Sequence, residues 1–270
     1  MSPTRVRALL GKELAELRRN RSALLPVVIV AFLSMALPFF MALAVPELSG
    51  EPLASDRDLT RALEQAGQDL HAARRLSPEG AVQAFIFNRF IVLMLLVPVT
   101  GAIAFAGHSL ISEKQGRSLE PLLATPITTA ELLLVKVLGA LIPSLGIMLG
   151  TFVIYLGLVG LMAEPGVLLA VLTWQTVLLV GVVGPLGALV ALQIGVLVSA
   201  RVNDPRTAQQ FGALLILPLT VLFLAQMTGA FVIAPAVALV MVLALAIVWI
   251  VLLALGVVLF DRETILTRWK

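Results

Sequence analysis

The chain has 270 residues, of which 60% are hydrophobic and 13% charged, and its mean hydropathy is +1.04. A soluble globular domain carries about 25% charge, so this composition excludes one and specifies an integral membrane protein. Cysteine is absent and neither of the two histidines, His71 and His108, sits in a zinc motif, which excludes a disulfide framework, a thiolate nucleophile and a Cys-ligated metal; the net charge of +3 sets membrane orientation rather than nucleic-acid binding.

The first soluble piece covers residues 1–22. Val6, Leu10, Leu14 and Leu17 recur at helical spacing, with Arg5, Arg7, Lys12 and Arg18 largely on other faces. This pattern predicts a basic amphipathic helix lying along the inner membrane surface. Glu13 falls inside the apolar stripe, which suggests either a protein partner or an acid lifted toward the headgroups or paired with Lys12 or a neighbouring arginine.

Apolar runs of roughly 20 residues suffice to cross a bilayer. Six are read from the sequence: Ala23–Val45, Phe85–Ser109, Leu132–Met162, Val167–Ala200, Phe211–Thr228 and Ala236–Phe260. The predicted fold class is therefore an all-α integral membrane protein, with residues 23–270 forming one six-helix domain. The first run is long, follows about 20 polar-rich residues and is not succeeded by a small-residue cleavage site, so it reads as a retained helix rather than a signal peptide. Pro143 and Pro185 lie inside long runs and predict kinks.

Between the first two runs, an outer loop over about 46–84 carries Leu59, Leu63, Ala66 and Leu70 at helical spacing amid Asp58, Arg61, Glu64 and Asp69. A short amphipathic helix capping the outer mouth is expected, with a solvated face and no ligand role. Arg5 to Arg21 precede the first run, Lys114 and Arg117 follow the second, Arg201 and Arg206 the fourth, and Arg262, Arg268 and Lys270 the sixth. The other side holds Arg57, Arg61, Arg74 and Arg75 in an acid-rich loop, and Arg89 is assigned there too. The positive-inside rule then puts both termini in the cytoplasm, the expected location being the cell inner membrane. Arg262, Arg268, Trp269 and Lys270 suit the headgroup region.

A cytoplasmic loop over about 110–130 separates the second and third runs. In SLEPLLATP, Leu119, Leu122 and Leu123 share a helical face with Glu120 exposed, and Pro126 stops the turn; TTAELLLVK restarts a helix with Thr128 or Thr129 as N-cap. Apolar knobs from the three leucines, register from Glu120 and Arg117, and stiffness from Pro126 suit docking onto a cytosolic protein.

The stretch EKQGRSLEPLLATPITTAELLLVK, Glu113 to Lys136, resembles the signature of ABC-2 type transporter permeases. Glu113, Ser118, Leu119, Glu120, Leu122, Leu123, Thr125 and Pro126 match it, while Gln115 stands where an acid is frequent and Ser118 where threonine is commoner. The resemblance extends to the Lys12-Glu13 pair of the N-terminal helix and to six spans with the signature between the second and third. It implies the transmembrane subunit of an ATP-driven exporter, in which two permeases pair and two separate ATP-binding subunits seat on the signature as a coupling helix.

No Gly-x-x-x-x-Gly-Lys-Ser/Thr run occurs, so no phosphate cradle is encoded. No cofactor is expected on this chain; ATP and Mg are expected on the partner subunit. Intramembrane catalysis is also disfavoured, because the spans hold no pair of acids and no Ser-His arrangement. An ATP-independent channel or secondary transporter of the same topology is the alternative, yet such carriers place charges near the midplane. The candidate pathway groups here are Ser144, Thr151, Gln175, Gln193, Thr220 and Gln226, each more often helix-packing glue than ligand contact. A pathway this apolar favours hydrophobic or amphipathic cargo. Gly139, Gly146 and Gly150 in the third run and Gly181, Gly184, Gly187 and Gly195 in the fourth predict close helix approach, within the chain or across a dimer in the lipid membrane.

Overall fold

The computed structural model describes residues 3–65, 76–115, 129–201, 210, 214, 216–228, 231 and 233–259, all helix or short connection with no strand among them. Helix is what lipid demands, because each backbone N–H and C=O must be satisfied within its own segment. Twelve α-helices follow in order: α1 Pro3–Arg19, α2 Arg21–Phe39, α3 Val45–Ser49, α4 Arg57–Gln65, α5 Pro78–Met94, α6 Leu96–Gln115, α7 Thr129–Met162, α8 Val167–Val171, α9 Trp174–Leu178, α10 Gly184–Arg201, α11 Ile216–Met227 and α12 Pro235–Leu259. Among the described residues five stretches are long and apolar enough to span a membrane: Arg21–Ser49, Pro78–Phe105, Leu134–Met162, Trp174–Val198 and Ala236–Leu255.

Three of the expected boundaries change. The second span starts at Pro78, seven residues earlier than hydropathy places it, because Ser77 caps the helix by accepting from the Gly80 N–H at 2.9 Å and Pro78 fills a position that needs no donor. The fourth run is broken rather than continuous. Thr173 caps α9 through the Thr176 N–H (3.2 Å), and Thr176 donates back to the Val171 carbonyl (2.7 Å), so the residues before it form the separate short helix α8. The span proper begins at Trp174. In the fifth run the helix among the described residues is the 12-residue α11, roughly 18 Å long against a hydrocarbon core of roughly 30 Å.

Pro143 sits inside one uninterrupted α7, while Pro185 opens α10 directly after a π-helical turn over Leu179–Val183. A second π turn, Phe40–Ala44, joins α2 to α3.

The α5–α6 span is the axis of the bundle: 83% of its apolar window is buried, against 6% for Ala236–Leu255 at the periphery. Around it lie α2, α7, α10 and α11. Gly101 lets α6 and α7 approach so closely that a Cβ added there would stand 2.7 Å from Ser144 Oγ and 3.3 Å from Ser144 Cα. Gly184 similarly admits Met148 of α7, and Gly187 faces Val99 of α6. The expected close packing of the third and fourth spans is thus carried by Gly184, whereas Gly146 and Gly150 face open space.

An aromatic knot ties α2, α5 and α7 together. Tyr155 is fully buried, its ring 5.6 Å from that of Phe39 and 6.0 Å from that of Phe87, and its hydroxyl donates to the Phe87 carbonyl at 2.7 Å. Tyr155→Ala leaves a cavity and is expected to cost about 3 kcal/mol, while Tyr155→Phe loses one hydrogen bond and costs about 1 kcal/mol. Thermal unfolding in detergent ranks wild type, Phe and Ala in that order; coincident melts would contradict the knot.

The end of the bundle away from α1 is closed by polar side chains. Glu79 accepts from the Leu53 and Ala54 N–H groups at 3.1 Å each, pinning the loop that carries α4, whose Ala62 is buried and whose Leu59 and Leu63 pack on the core. The expected outer helix is thus present over Arg57–Gln65; Ala66 and Leu70 lie outside the described residues. Gln83 accepts from the Glu164 N–H at 3.0 Å, and Ser77 donates to the Glu164 carboxylate. Gly166 makes the turn before α8 with φ +94°, a conformation side chains rarely adopt.

Candidate functional site

The predicted interfacial residues Lys12 and Glu13 part company in the structure. Being neighbours on a helix they point about 100° apart, so Lys12 reaches Glu16 one turn on, at 3.4 Å on the exposed side. Glu13 turns to α7 and meets Lys136 at 3.8 Å, with the two side chains 13% and 9% exposed. Among the described residues Glu13 thus forms an ion pair with a lysine at the start of the third span, while Lys12 pairs with Glu16. Gly139, one turn beyond Lys136, makes room: a Cβ there would lie 3.2 Å from Glu13 Cβ. Asn20 then separates α1 from α2, accepting from the Ala23 N–H at 3.3 Å and the Ser22 hydroxyl at 2.7 Å. One end of the bundle therefore carries α1 in contact with the beginning of α7 and joined at Asn20 to the beginning of α2.

The predicted coupling loop is flanked by this assembly. Glu113 belongs to the last turns of α6, and Thr129 opens α7. Arg117, Ser118, Leu119, Glu120, Leu122, Leu123, Thr125 and Pro126 lie outside the described residues.

The six candidate pathway groups serve different local ends. Ser144, Thr151 and Thr220 each donate to the carbonyl four residues back, Ala140, Ile147 and Ile216, at 2.5, 2.8 and 3.0 Å. Such back-bonding is ordinary for hydroxyls in apolar helices. Gln175 on α9 and Gln193 on α10 are half-buried. Gln226 near the end of α11 is 2% exposed, and among the described residues its side-chain amide nitrogen has no hydrogen-bond partner.

Two features escaped sequence reading. Arg89 does not belong with the outer-loop arginines. It lies 11 residues into α5, about 16 Å along the axis, is 5% exposed, and holds its guanidinium 5.0 Å from the centre of the Phe85 ring. A cation stacked on an aromatic face is tolerable in a dry interior, and the signal was present in FIFNRFIVLML, a lone arginine within an apolar run. The interior is thus less charge-free than hydropathy suggests.

The second feature is a cavity of about 420 Å³ between α6, α10, α11 and α12. Leu95, Val99, Gly187, Leu219, Phe231 and Met241 are among its walls, and its lining contains none of the six candidate polar groups. It lies alongside the middle of the Trp174–Val198 span. Such a space accepts apolar groups and gives an ion nothing to replace its hydration.

Helix count and an apolar cavity suit many membrane proteins; the family comparison decides among them. A family model described as ABC-2 family transporter protein matches residues 7–236. The chain belongs to the ABC-2 transporter family. As an ABC-2 permease it is a membrane component of transport, and the match takes in Glu13, Lys136, the Glu113–Pro126 signature and most of the cavity wall. No curated protein and no solved structure matches this ABC-2 permease.

Proposed function

We propose that this ABC-2 permease is the membrane-spanning subunit of an exporter, paired with a second permease and driven by separate ATP-binding subunits that carry the ATP and Mg. The observation that carries this reading beyond the family is the convergence of α1, α7 and the two ends of the signature loop on one end of the bundle, which gives an ATPase a single place to push. Charge distribution supports a cytoplasmic position for that end and for both termini, in the cell inner membrane with six crossings. Glu113 through Pro126 form the coupling element, with leucine knobs in a partner cleft.

Cargo is hydrophobic or amphipathic. The wholly apolar cavity supports that class, because only an apolar moiety gains by leaving water for it. The second permease is supported by α7, where Gly146, Gly150 and Gly157 with Val153 and Ile154 leave a small-residue face uncovered. Closure of the ATPase dimer shifts the loop, tilts α7 and its neighbours, and alternately opens and squeezes the pathway.

Purification of the tagged chain from its native membrane tests this reading. An ATP-binding polypeptide that co-purifies and hydrolyses ATP is the expected result, and a permease that arrives without one contradicts it.

A further inference from the structure

We infer that the Glu13–Lys136 ion pair is a mechanical link, through which the motion of α7 under the coupling loop is handed to α1 and so to the first span. The inference rests on the proposed function and assigns Glu13 and Lys136 as positioning residues. No covalent path joins α1 to α7 except through the whole of α2–α6, so their relative motion is governed by side-chain contacts alone. An apolar contact lets two helices slide. A buried ion pair does not, because separating it strands two charges where water is scarce.

The geometry suits transmission in three ways. Lys136 lies seven residues into α7, two turns from the end that receives the loop. Gly139 places α1 against the backbone of α7, so the link is short and stiff. The other end of α1 meets α2 across the single residue Asn20, whose side chain caps α2 and holds the corner. A push on the start of α7 therefore turns α1, and α1 turns the Arg21–Ser49 span. Two spans flanking the central α5–α6 axis move together rather than one.

The cysteine-free chain permits a reversible test. In Glu13→Cys/Gly139→Cys/Lys136→Met the two Cβ atoms stand 3.2 Å apart, a few tenths of an ångström inside the roughly 3.8 Å of a disulfide, and the bond replaces the charge pair with a covalent one without stranding the lysine. The complex with its co-purified ATPase is assayed for ATP hydrolysis oxidised, reduced and reoxidised. Hydrolysis near the wild-type rate when oxidised, about tenfold slower when reduced, and recovered on reoxidation is the expected result. Glu13→Lys and Lys136→Glu alone are each expected to lose about tenfold while still bringing down the ATPase, and the charge-swapped double variant to regain most of it. Equal rates in the oxidised and reduced forms, or a swap no better than its parents, overturn the link and leave the permease reading intact. Failure of the wild type to bring down any ATPase overturns both.

Discussion

Glu120→Arg and Leu122→Asp are each expected to strip the ATP-hydrolysing subunit from the purified permease without altering its own yield or melting behaviour. A leucine filling a partner pocket contributes about 1.5–3 kcal/mol, and a carboxylate in its place adds a desolvation cost of several kcal/mol more. The sum for Leu122→Asp exceeds about 4 kcal/mol, a thousandfold weakening or more. Glu120→Arg replaces the group assigned to fix register with one of opposite sign, and a loss of about 10–100-fold is expected. Glu51→Arg, exposed at the opposite end of the bundle, is the control and should leave association untouched. Quantitative co-purification reads all three.

Gly101→Leu is expected to prevent accumulation of folded permease. The nearest atoms to an added Cβ are Ser144 Oγ, Cβ and Cα at 2.7, 2.9 and 3.3 Å, and although the hydroxyl can turn aside, Cβ and Cα cannot rotate away. Relief requires α6 to part from α7 at the centre of the bundle, where Ser144 is fully buried. The cost is about 3 kcal/mol or more, against total stabilities of about 5–15 kcal/mol. Gly101→Ala should lower the melting temperature by a smaller step. Gly11→Leu, exposed on α1 with nothing within 4 Å, should leave it unchanged. Fluorescence-detected size exclusion over a temperature ramp distinguishes the three, and a Gly101→Leu protein that melts like wild type would contradict the packing described.

Five of the six expected spans were legible in the sequence because lipid imposes a length and a composition on whatever crosses it. Their ends were less so. Pro78–Ala84 mixes Glu79 and Gln83 with apolar residues, and hydropathy alone reads that as loop although Ser77-Pro78 is a helix start; both polar groups are spent on the loops at Leu53 and Glu164. The break before Trp174 was written in Thr173 and Thr176, a capping pair hidden inside a greasy run. Glu13 was recognisable as misplaced on its helix, yet its partner was not, since nothing local in a sequence pairs residues on α1 and α7. Arg89 was visible as a residue and misread as to depth, because the helix start before it had been placed too late. The Glu113–Pro126 stretch lies within the family match, and its part in coupling stands as the proposal above.

The most direct test of the central claim, that the Glu113–Pro126 loop docks on an ATPase, uses the same absence of cysteine. Leu122→Cys carrying a benzophenone maleimide is illuminated in native membranes, with Glu51→Cys treated identically. A single adduct from Leu122→Cys, containing the permease and an ATP-binding polypeptide, is expected, and no such adduct from Glu51→Cys. An ATPase that co-purifies with the permease yet cross-links only from position 51, or from neither position, would contradict it.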